Sequence, residues 1–253
     1  MKSATDEHWS NRASENIDNM LVNIPDACQR ELEYDFILRH LSKEAEILEV
    51  GCGNGYSTER FRRLAKHIDS IDYSQEMIER AKETYGEINN RFFYDNILKP
   101  QYVTGPYDII ICVRTLINLR NLEEQQLAVE NMAILVKKGG KLILVEGCKD
   151  GFNRLNDLRA KVNMPPIQPA KINYYSTIGE LLHIIKPLFS IVDEYHIGCY
   201  DYLTRIIYPF MVGPNNVQHN SEFAIKAVDL VRAFNPDSFK EFSRVRGFLL
   251  RRR

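Results

Sequence analysis

An apolar strand, Ile47-Leu48-Glu49-Val50, runs directly into Gly51-Cys52-Gly53-Asn54-Gly55 and then into a helix that opens at Tyr56. Three alternating glycines remove Cβ atoms where a backbone must turn tightly and let a ligand approach, and the helix start beyond them offers unpaired N–H groups. This reads as a nucleotide-type binding loop at the end of a strand, with an ordinary glycine-rich turn as the plain alternative. The spacing is G-x-G-x-G. It is not the G-x-G-x-x-G of a pyrophosphate cradle, because Tyr56 takes the next position and no glycine follows before Phe61. Glu49 stands before the first glycine. An acid at the mouth of the loop suits a cationic ligand better than a doubly charged pyrophosphate.

The rest of the chain alternates strands and helices, which implies a mainly parallel sheet with right-handed crossovers. A helix carrying Leu32, Phe36, Ile37 and Leu41 precedes the first strand, 47–50. A helix over 56–66 follows the loop, then a strand at 67–72 that ends in Asp72. Ser74 caps a helix whose Met77, Ile78 and Ala81 face inward. Strands follow at 91–94 and 107–113. A helix over 122–136 is expected to stop at Lys137-Lys138-Gly139-Gly140, where glycine permits a left-handed cap, and strand five covers 141–146. Thr177 and Glu180 have capping-box spacing, strand six covers 189–197 and a last strand covers 245–250. The fold class is therefore α/β, in one domain of 253 residues.

Composition is that of an ordinary globular protein, with 44% hydrophobic and 26% charged residues and a net charge of −1. That balance argues against a polyanion-binding surface, so nucleic acid is not the expected partner. The first residues lack an apolar leader-like run, and no later stretch approaches the ~20 apolar residues of a membrane span. A cytoplasmic, non-membrane protein is expected. The five cysteines, Cys28, Cys52, Cys112, Cys148 and Cys199, are scattered without a C-x-x-C pair and read as reduced, buried thiols. The six histidines show no metal-ligand spacing, and no metal is expected. Nothing in the sequence speaks to oligomeric state.

The acidic residue, the G-x-G-x-G loop and the strand-end acids together resemble motif I and its partners in the class I S-adenosylmethionine-dependent methyltransferases. The likeness covers residues 46–146. It implies a Rossmann-like, seven-stranded, mainly parallel sheet with helices on both faces, the last two strands joined by an antiparallel excursion. It also implies S-adenosyl-L-methionine as cofactor. Asp72 matches the family's ribose-binding acid, and Asp95 in Tyr94-Asp95-Asn96-Ile97 matches the acid that meets the adenine amino group; Met77 suits a place against the adenine and, by its helical phase, a place in the core equally well. Arg114, after strand four, falls where the backbone meets the methionine moiety and nearby side chains meet the substrate. The expected cofactor set is Glu49, Gly51, Cys52, Gly53, Gly55, Asp72, Tyr73, Met77, Asp95, Asn96, Ile97 and Arg114. No Asn-Pro-Pro-Tyr or Asp-Pro-Pro-Tyr follows strand four, which speaks against nucleic-acid amino-methylation. No carboxylate follows it either, so the Mg²⁺ set of catechol-type enzymes is missing.

Methyl transfer from a sulfonium releases a neutral leaving group, so alignment of the acceptor, on the order of 7–11 kcal/mol, outweighs what one general base supplies. Candidate bases are His196 and Glu146. Candidate substrate residues are Arg114, Tyr174, Tyr175, Tyr200, Tyr202 and Arg205, with Arg154 and Arg159 also expected near the cleft mouth, since arginine's planar fork matches carboxylate or phosphate. Residues 1–30, with Trp9 and Arg12, are expected to form a lid, 42–147 the cofactor-binding core, and 198–242 an insertion that recognises the substrate. The segments around Asn153, Tyr174 and Tyr200 are similar to methyltransferases of bacterial surface-polysaccharide and small-metabolite pathways, which points to O-methylation of a sugar-like or phosphorylated small acceptor. Two alternatives stand beside this reading: a non-catalytic S-adenosylmethionine- or S-adenosylhomocysteine-binding protein, and a protein or RNA methyltransferase, the latter motivated by Arg244, Arg246 and Arg251 to Arg253.

Overall fold

The computed structural model describes residues 4–14 and 18–253 of the chain. Helices α1 (Ala4–Ser14), α2 (Asn19–Asn23) and α3 (Ala27–Leu38) precede β1 (Glu46–Val50). Then come α4 (Tyr56–Phe61), β2 (His67–Asp72), α5 (Gln75–Tyr85), β3 (Asn90–Tyr94), β4 (Tyr107–Val113), α6 (Leu122–Leu135), β5 (Val136–Gly147), α7 (Lys149–Lys161) and α8 (Ile178–Ile185). The chain closes with β6 (Phe189–His196), α9 (Gly198–Tyr202), α10 (Tyr208–Val212), α11 (Glu222–Ala233) and β7 (Val245–Arg252). The seven strands form one sheet in the order β3-β2-β1-β4-β5-β7-β6. Strands β1 to β5 are mutually parallel, while β7 inserts antiparallel between β5 and β6. This is the sheet expected of the resemblance, antiparallel excursion included.

Side chains alternate across the sheet, so each central strand feeds two cores. Ile47, Ile109, Ile111, Ile143 and Val145 point to one face and pack with Leu32, Phe36 and Ile37 of α3 and with Ala224, Val228 and Val231 of α11. Leu48, Val50, Ile110, Leu142 and Leu144 point to the other, against Val129 and Met132 of α6 and Leu181 and Ile185 of α8. Each fully buried branched side chain contributes about 1.5–3 kcal/mol relative to exposure. All five cysteines are free and buried, as expected. Among the described residues no helix is long and apolar enough to cross a membrane.

Several boundaries differ from the sequence-based expectation. The helix after the glycine loop is one turn and a half, continuing as a 3-10 turn at Arg62–Leu64. Helix α6 does not end on a glycine cap: Val136 already has extended backbone, φ −90°, and pairs with Tyr107 in the sheet, so β5 starts five residues earlier than expected. Gly139, φ +76°, serves an exposed turn within that strand. Strand β7 runs on to Arg252 because β6 pairs with it to Phe189.

The segment 198–242 packs back on the core largely through helices. Gly198 makes this possible, because a Cβ there would sit 1.9 Å from the Phe239 carbonyl oxygen and 2.6 Å from its carbon. Backbone cannot yield as a side chain tip can. We expect Gly198→Ala to cost more than about 2 kcal/mol in denaturant unfolding, the overpacking range. Gly179→Ala, inside α8 with only Thr177 Oγ1 at 3.8 Å, should be neutral or stabilising by up to about 1 kcal/mol. Equal midpoints for the two variants would contradict this packing.

Candidate active site at the carboxyl ends of the strands

The glycine loop is tied to both neighbours of β1. The N–H groups of Gly51 and Cys52 both donate to the Ile71 carbonyl, at 2.8 and 3.0 Å. On the other side Thr115 Oγ1 donates to the Val50 carbonyl at 2.9 Å. Gly51 has φ +76°, and a Cβ on it would lie 2.1 Å from that same hydroxyl. Gly53, φ +55°, gives its N–H to Asp72 Oδ2 at 2.8 Å, and Ser74 gives its N–H to Oδ1 at 2.9 Å. Gly55 plays a different part: it is the left-handed N-cap of α4, pressed against Ala81 and Phe92, and does not line the cleft.

Two acids stand beside this loop. Burial pushes the Asp72 carboxyl up to about 6, opposed by the N–H groups of Ser74, Gly53 and Tyr73. Glu49 is fully enclosed; burial pushes it up to about 7 although Thr58 and Ser70 donate their hydroxyls to its Oε2 at 2.5 and 3.2 Å. A cation arriving beside either acid draws it back to the charged form.

Two adjoining cavities open over the strand ends. One, of about 320 Å³, is lined by Asp95, Asn96, Ile97, Thr5 and Leu119 and shares Gly51, Asp72, Tyr73, Thr115 and Asn118 with the other. The other, of about 300 Å³, also holds Glu49, Cys52, Gly53, Met77 and Arg114. The structure thus brings together every expected cofactor residue except Gly55. Within the set, the Asp95 carboxylate is already engaged. It accepts the N–H groups of Asn96, Gln101 and Tyr102 at 2.8 to 3.1 Å and so shapes the 95–102 loop. Met77 is 1% exposed and packs with Ala13 and Val22. Residues 1–3 and 15–17 of the expected lid lie outside the described residues. In the remainder, Trp9 lines the cavity and donates Nε1–H to Asn118 Oδ1 at 3.1 Å, while Arg80 holds the Ala13 carbonyl at 2.8 Å.

The half of this second cavity away from the loop is polar. Asp26, Gln29, Arg30 and Glu33 enter from α3, and Phe152, Asn173, Tyr175, Arg205, His219 and Arg244 close it. Asp26 caps α3 through the Gln29 N–H, pairs with Arg205 at 2.7 Å and accepts the Tyr200 hydroxyl at 2.8 Å. Burial opposes its charge, yet hydrogen bonding from His219 and the Arg205 guanidinium hold its carboxyl well below the usual range. Arg244 is bound by Asp201 through Nε and Nη2, at 2.9 and 2.6 Å. Arg114 has φ +50°, and its Nη2 lies 3.7 Å from Glu33 Oε2, beyond hydrogen-bond reach.

Several sequence-based assignments are corrected by this geometry. His196 lies outside both cavities: its Nδ1 accepts the Gly198 N–H at 3.3 Å and its Nε2 faces Asp237 at 3.4 Å, because the end of β6 turns toward the 237–242 turn. Tyr200 is 1% exposed with its hydroxyl spent on Asp26, and Tyr202 packs on Phe239 and Phe242. Tyr174 contributes a backbone N–H to the Ile117 carbonyl but no cavity wall. Arg154 pairs with Glu241, and Arg159 holds the carbonyls of Pro165 and Arg205. Of the substrate candidates, Arg114, Tyr175 and Arg205 line the cavity. Sequence reasoning missed Asp26, Gln29, Arg30 and Glu33 as cavity residues. Their signal was available, since polar residues at positions 26, 29, 30 and 33 share one helical face.

Glu146 also lies outside the cavities, fully buried behind them. Its Oε1 accepts the Leu116 N–H at 2.8 Å, so it holds the segment that carries Arg114, Thr115 and Ile117. Burial pushes its carboxyl up to about 8, against the Leu116, Ile117 and Thr115 N–H groups and the Arg114 guanidinium. An unfolded chain would ionise it near 4.5, so the unfolded state sheds the proton first. Its contribution to stability is therefore fully present below that value and declines as pH rises toward about 8. We expect Glu146→Gln to lose less stability than the wild type across that interval in denaturant titrations, and Glu146→Ala to cost about 1–3 kcal/mol by stranding the Leu116 N–H. Identical pH slopes for wild type and Glu146→Gln would contradict the buried neutral acid.

Comparison with known proteins agrees with this architecture. A methyltransferase domain family matches residues 47–140. The malonyl-[acyl-carrier protein] O-methyltransferase of Bacillus cereus is 29% identical over 148 residues, 55% of this chain and 52% of that protein. The highly reducing polyketide synthase sthA of Phaeosphaeria nodorum is 29% identical over 115 residues, 42% of this chain. The matched region spans only 4% of that synthase, and about half or less of each of these curated relatives. Among solved structures, the N-methyltransferase NodS of Bradyrhizobium japonicum with S-adenosyl-L-homocysteine superposes with a TM-score of 0.60 at 15% identity, covering 99% of this chain and 98% of that one. Residues 47–140 thus match a methyltransferase domain, and the chain as a whole has the fold of the N-methyltransferase NodS.

Proposed function

We propose that the protein is an enzyme that transfers a methyl group from S-adenosylmethionine to a small polar acceptor, with O-methylation of a sugar-like or phosphorylated metabolite as the leading case. The observation that carries this reading is the continuity of one cleft from the glycine loop and Asp72 to a wall of buried polar groups on α3. The residues fit the cofactor. Gly51 and Gly53 present backbone without side chains, Asp72 keeps acceptor capacity beyond its two N–H bonds for the ribose hydroxyls, and Asn96 and Ile97 flank the adenine end. Because Asp95 is occupied by its own loop, and the Asn96 N–H in turn by Asp95, the adenine edge is assigned to the backbone N–H of Ile97. Glu49, enclosed and near neutrality, and Asp72 favour a cationic ligand. When bound, S-adenosylmethionine supplies an electrophilic methyl group on a sulfonium.

The chain's own residues then hold the acceptor and keep water out. Trp9 and Met77 shield the cofactor end, and Tyr175 stacks edge-on against Phe152 at 5.0 Å on the acceptor side. Glu33 is 2% exposed, with Oε1 accepting from Gln29 at 2.8 Å and Oε2 facing the Arg114 side. It is the carboxylate we assign to orient an acceptor hydroxyl and take its proton, in place of His196 and Glu146. The RNA reading loses part of its motive, because Arg244 is bound by Asp201 and Arg246 by Glu194.

Radiolabelled methyl transfer against sugar nucleotides, phosphorylated metabolites and hydroxy acids tests the reading, with turnover and S-adenosylhomocysteine release expected. Tight cofactor binding without turnover of any acceptor class would favour the non-catalytic binder. Calorimetry on Gly51→Ala, whose new Cβ would press on Thr115, and on Asp72→Ala combined with Gly53→Val should show S-adenosylhomocysteine affinity reduced at least about tenfold, roughly 1.4 kcal/mol. Unchanged affinity in both would remove the loop from the site. Glu33→Gln should lower kcat at least about a hundredfold with cofactor affinity within a few fold, the range of a lost general base.

A further inference from the structure

We infer that Arg30 and Arg114 form a seat for a single oxyanion, a carboxylate or a phosphate group, in the cavity walled by α3. The inference rests on the methyltransferase reading for its ligand sources but not for its geometry. Four guanidinium groups line this cavity, and two of them are neutralised: Arg205 by Asp26 at 2.7 Å and Arg244 by Asp201 at 2.6 Å. Arg30 and Arg114 are not. Arg30 is 3% exposed, its Nη1 has no hydrogen-bond partner, and among the described residues no carboxylate lies within ion-pair distance of it. Arg114 has a buried Nε without a partner; of the acids that act on it, burial holds Glu146 toward its neutral form, and Glu33 is 3.7 Å away with one oxygen accepting from Gln29.

The two cations also act on each other, since the Arg114 charge, after burial itself, pulls the Arg30 proton affinity down. Two positive groups facing one acid leave the spot one charge short, and a buried donor without an acceptor is costly to keep. Both are held in place. Arg30 lies over the Tyr56 ring at 5.2 Å, beside the glycine loop. Arg114 is fixed by its N–H on the Val145 carbonyl at 2.7 Å and by Asn118 Nδ2 on its own carbonyl at 2.8 Å. A planar oxyanion between two guanidinium forks satisfies the stranded donors and the charge together. Its source is either the amino-acid carboxylate of the cofactor or an acidic group on the acceptor.

Calorimetry with S-adenosylhomocysteine and with its decarboxylated analogue separates these sources. If the cofactor supplies the anion, the wild type binds the decarboxylated analogue at least about tenfold more weakly, and Arg30→Gln and Arg114→Gln erase the difference. If the acceptor supplies it, the two ligands bind alike. Inorganic phosphate added to the S-adenosylhomocysteine complex then raises Tm in the wild type and not in the variants. The wild-type comparison needs no substitution, so a variant that fails to fold leaves it intact. A wild type that neither discriminates between the ligands nor responds to phosphate overturns the seat, as does discrimination that persists unchanged in both variants. Failure of S-adenosylhomocysteine to bind at all would count against the methyltransferase reading, and the phosphate response of the protein alone, present or absent, would still decide the seat.

Discussion

The site depends on how three parallel strands are locked together just beyond their ends. Ile71 of β2 accepts two N–H groups from the glycine loop, and Thr115 beyond β4 reaches back to Val50 of β1. These bonds are possible only because Gly51 has neither a Cβ nor a negative φ. They place Asp72, Gly53 and Arg114 around one opening, at the switch point where β1 is flanked by β2 on one side and β4 on the other. Behind them Glu146 holds the Arg114 segment through the Leu116 N–H. The arrangement of the cleft residues here is a consequence of strand register.

Polarity divides the cleft along its length. Acids that burial pushes up to about 6 and about 7, Asp72 and Glu49, stand beside the loop, where a cation favours their charged form. Across the cavity, α3 and its partners present charged groups that are mostly paired, with Arg30 and Arg114 as the exceptions. The cleft therefore has an end suited to positive charge and an end suited to negative charge. That gradient matches the sulfonium and carboxylate ends of the cofactor proposed for it.

Much of this was legible in the sequence because periodicity and loop chemistry are local. The strands at 47–50, 67–72 and 107–113, the Ser74 cap and the Thr177–Glu180 capping box reflect contacts within a few residues, and the structure bears them out. The expected cofactor residues could be assembled because most lie at or just beyond strand ends, Glu49 within β1 and Met77 within α5 apart. What escaped was long-range. Tyr200 looked like a recognition residue until Asp26, 174 positions away, took its hydroxyl. His196 and Glu146 stood at strand ends, but their side chains turned to the 237–242 turn and to the 114–117 segment. The polar face of α3 carried the right spacing, yet a polar helical face ordinarily meets solvent, and only the closing of 198–242 over it makes it a cavity wall.

A crystal structure with S-adenosylhomocysteine bound is the most direct test of the central claim, that one continuous cleft joins cofactor and acceptor. The account predicts adenine beside Asn96 and Ile97, ribose on Asp72, and the sulfur directed into the cavity that holds Glu33 and Arg114. Ligand bound elsewhere, or with its sulfur turned away from that cavity, would contradict it.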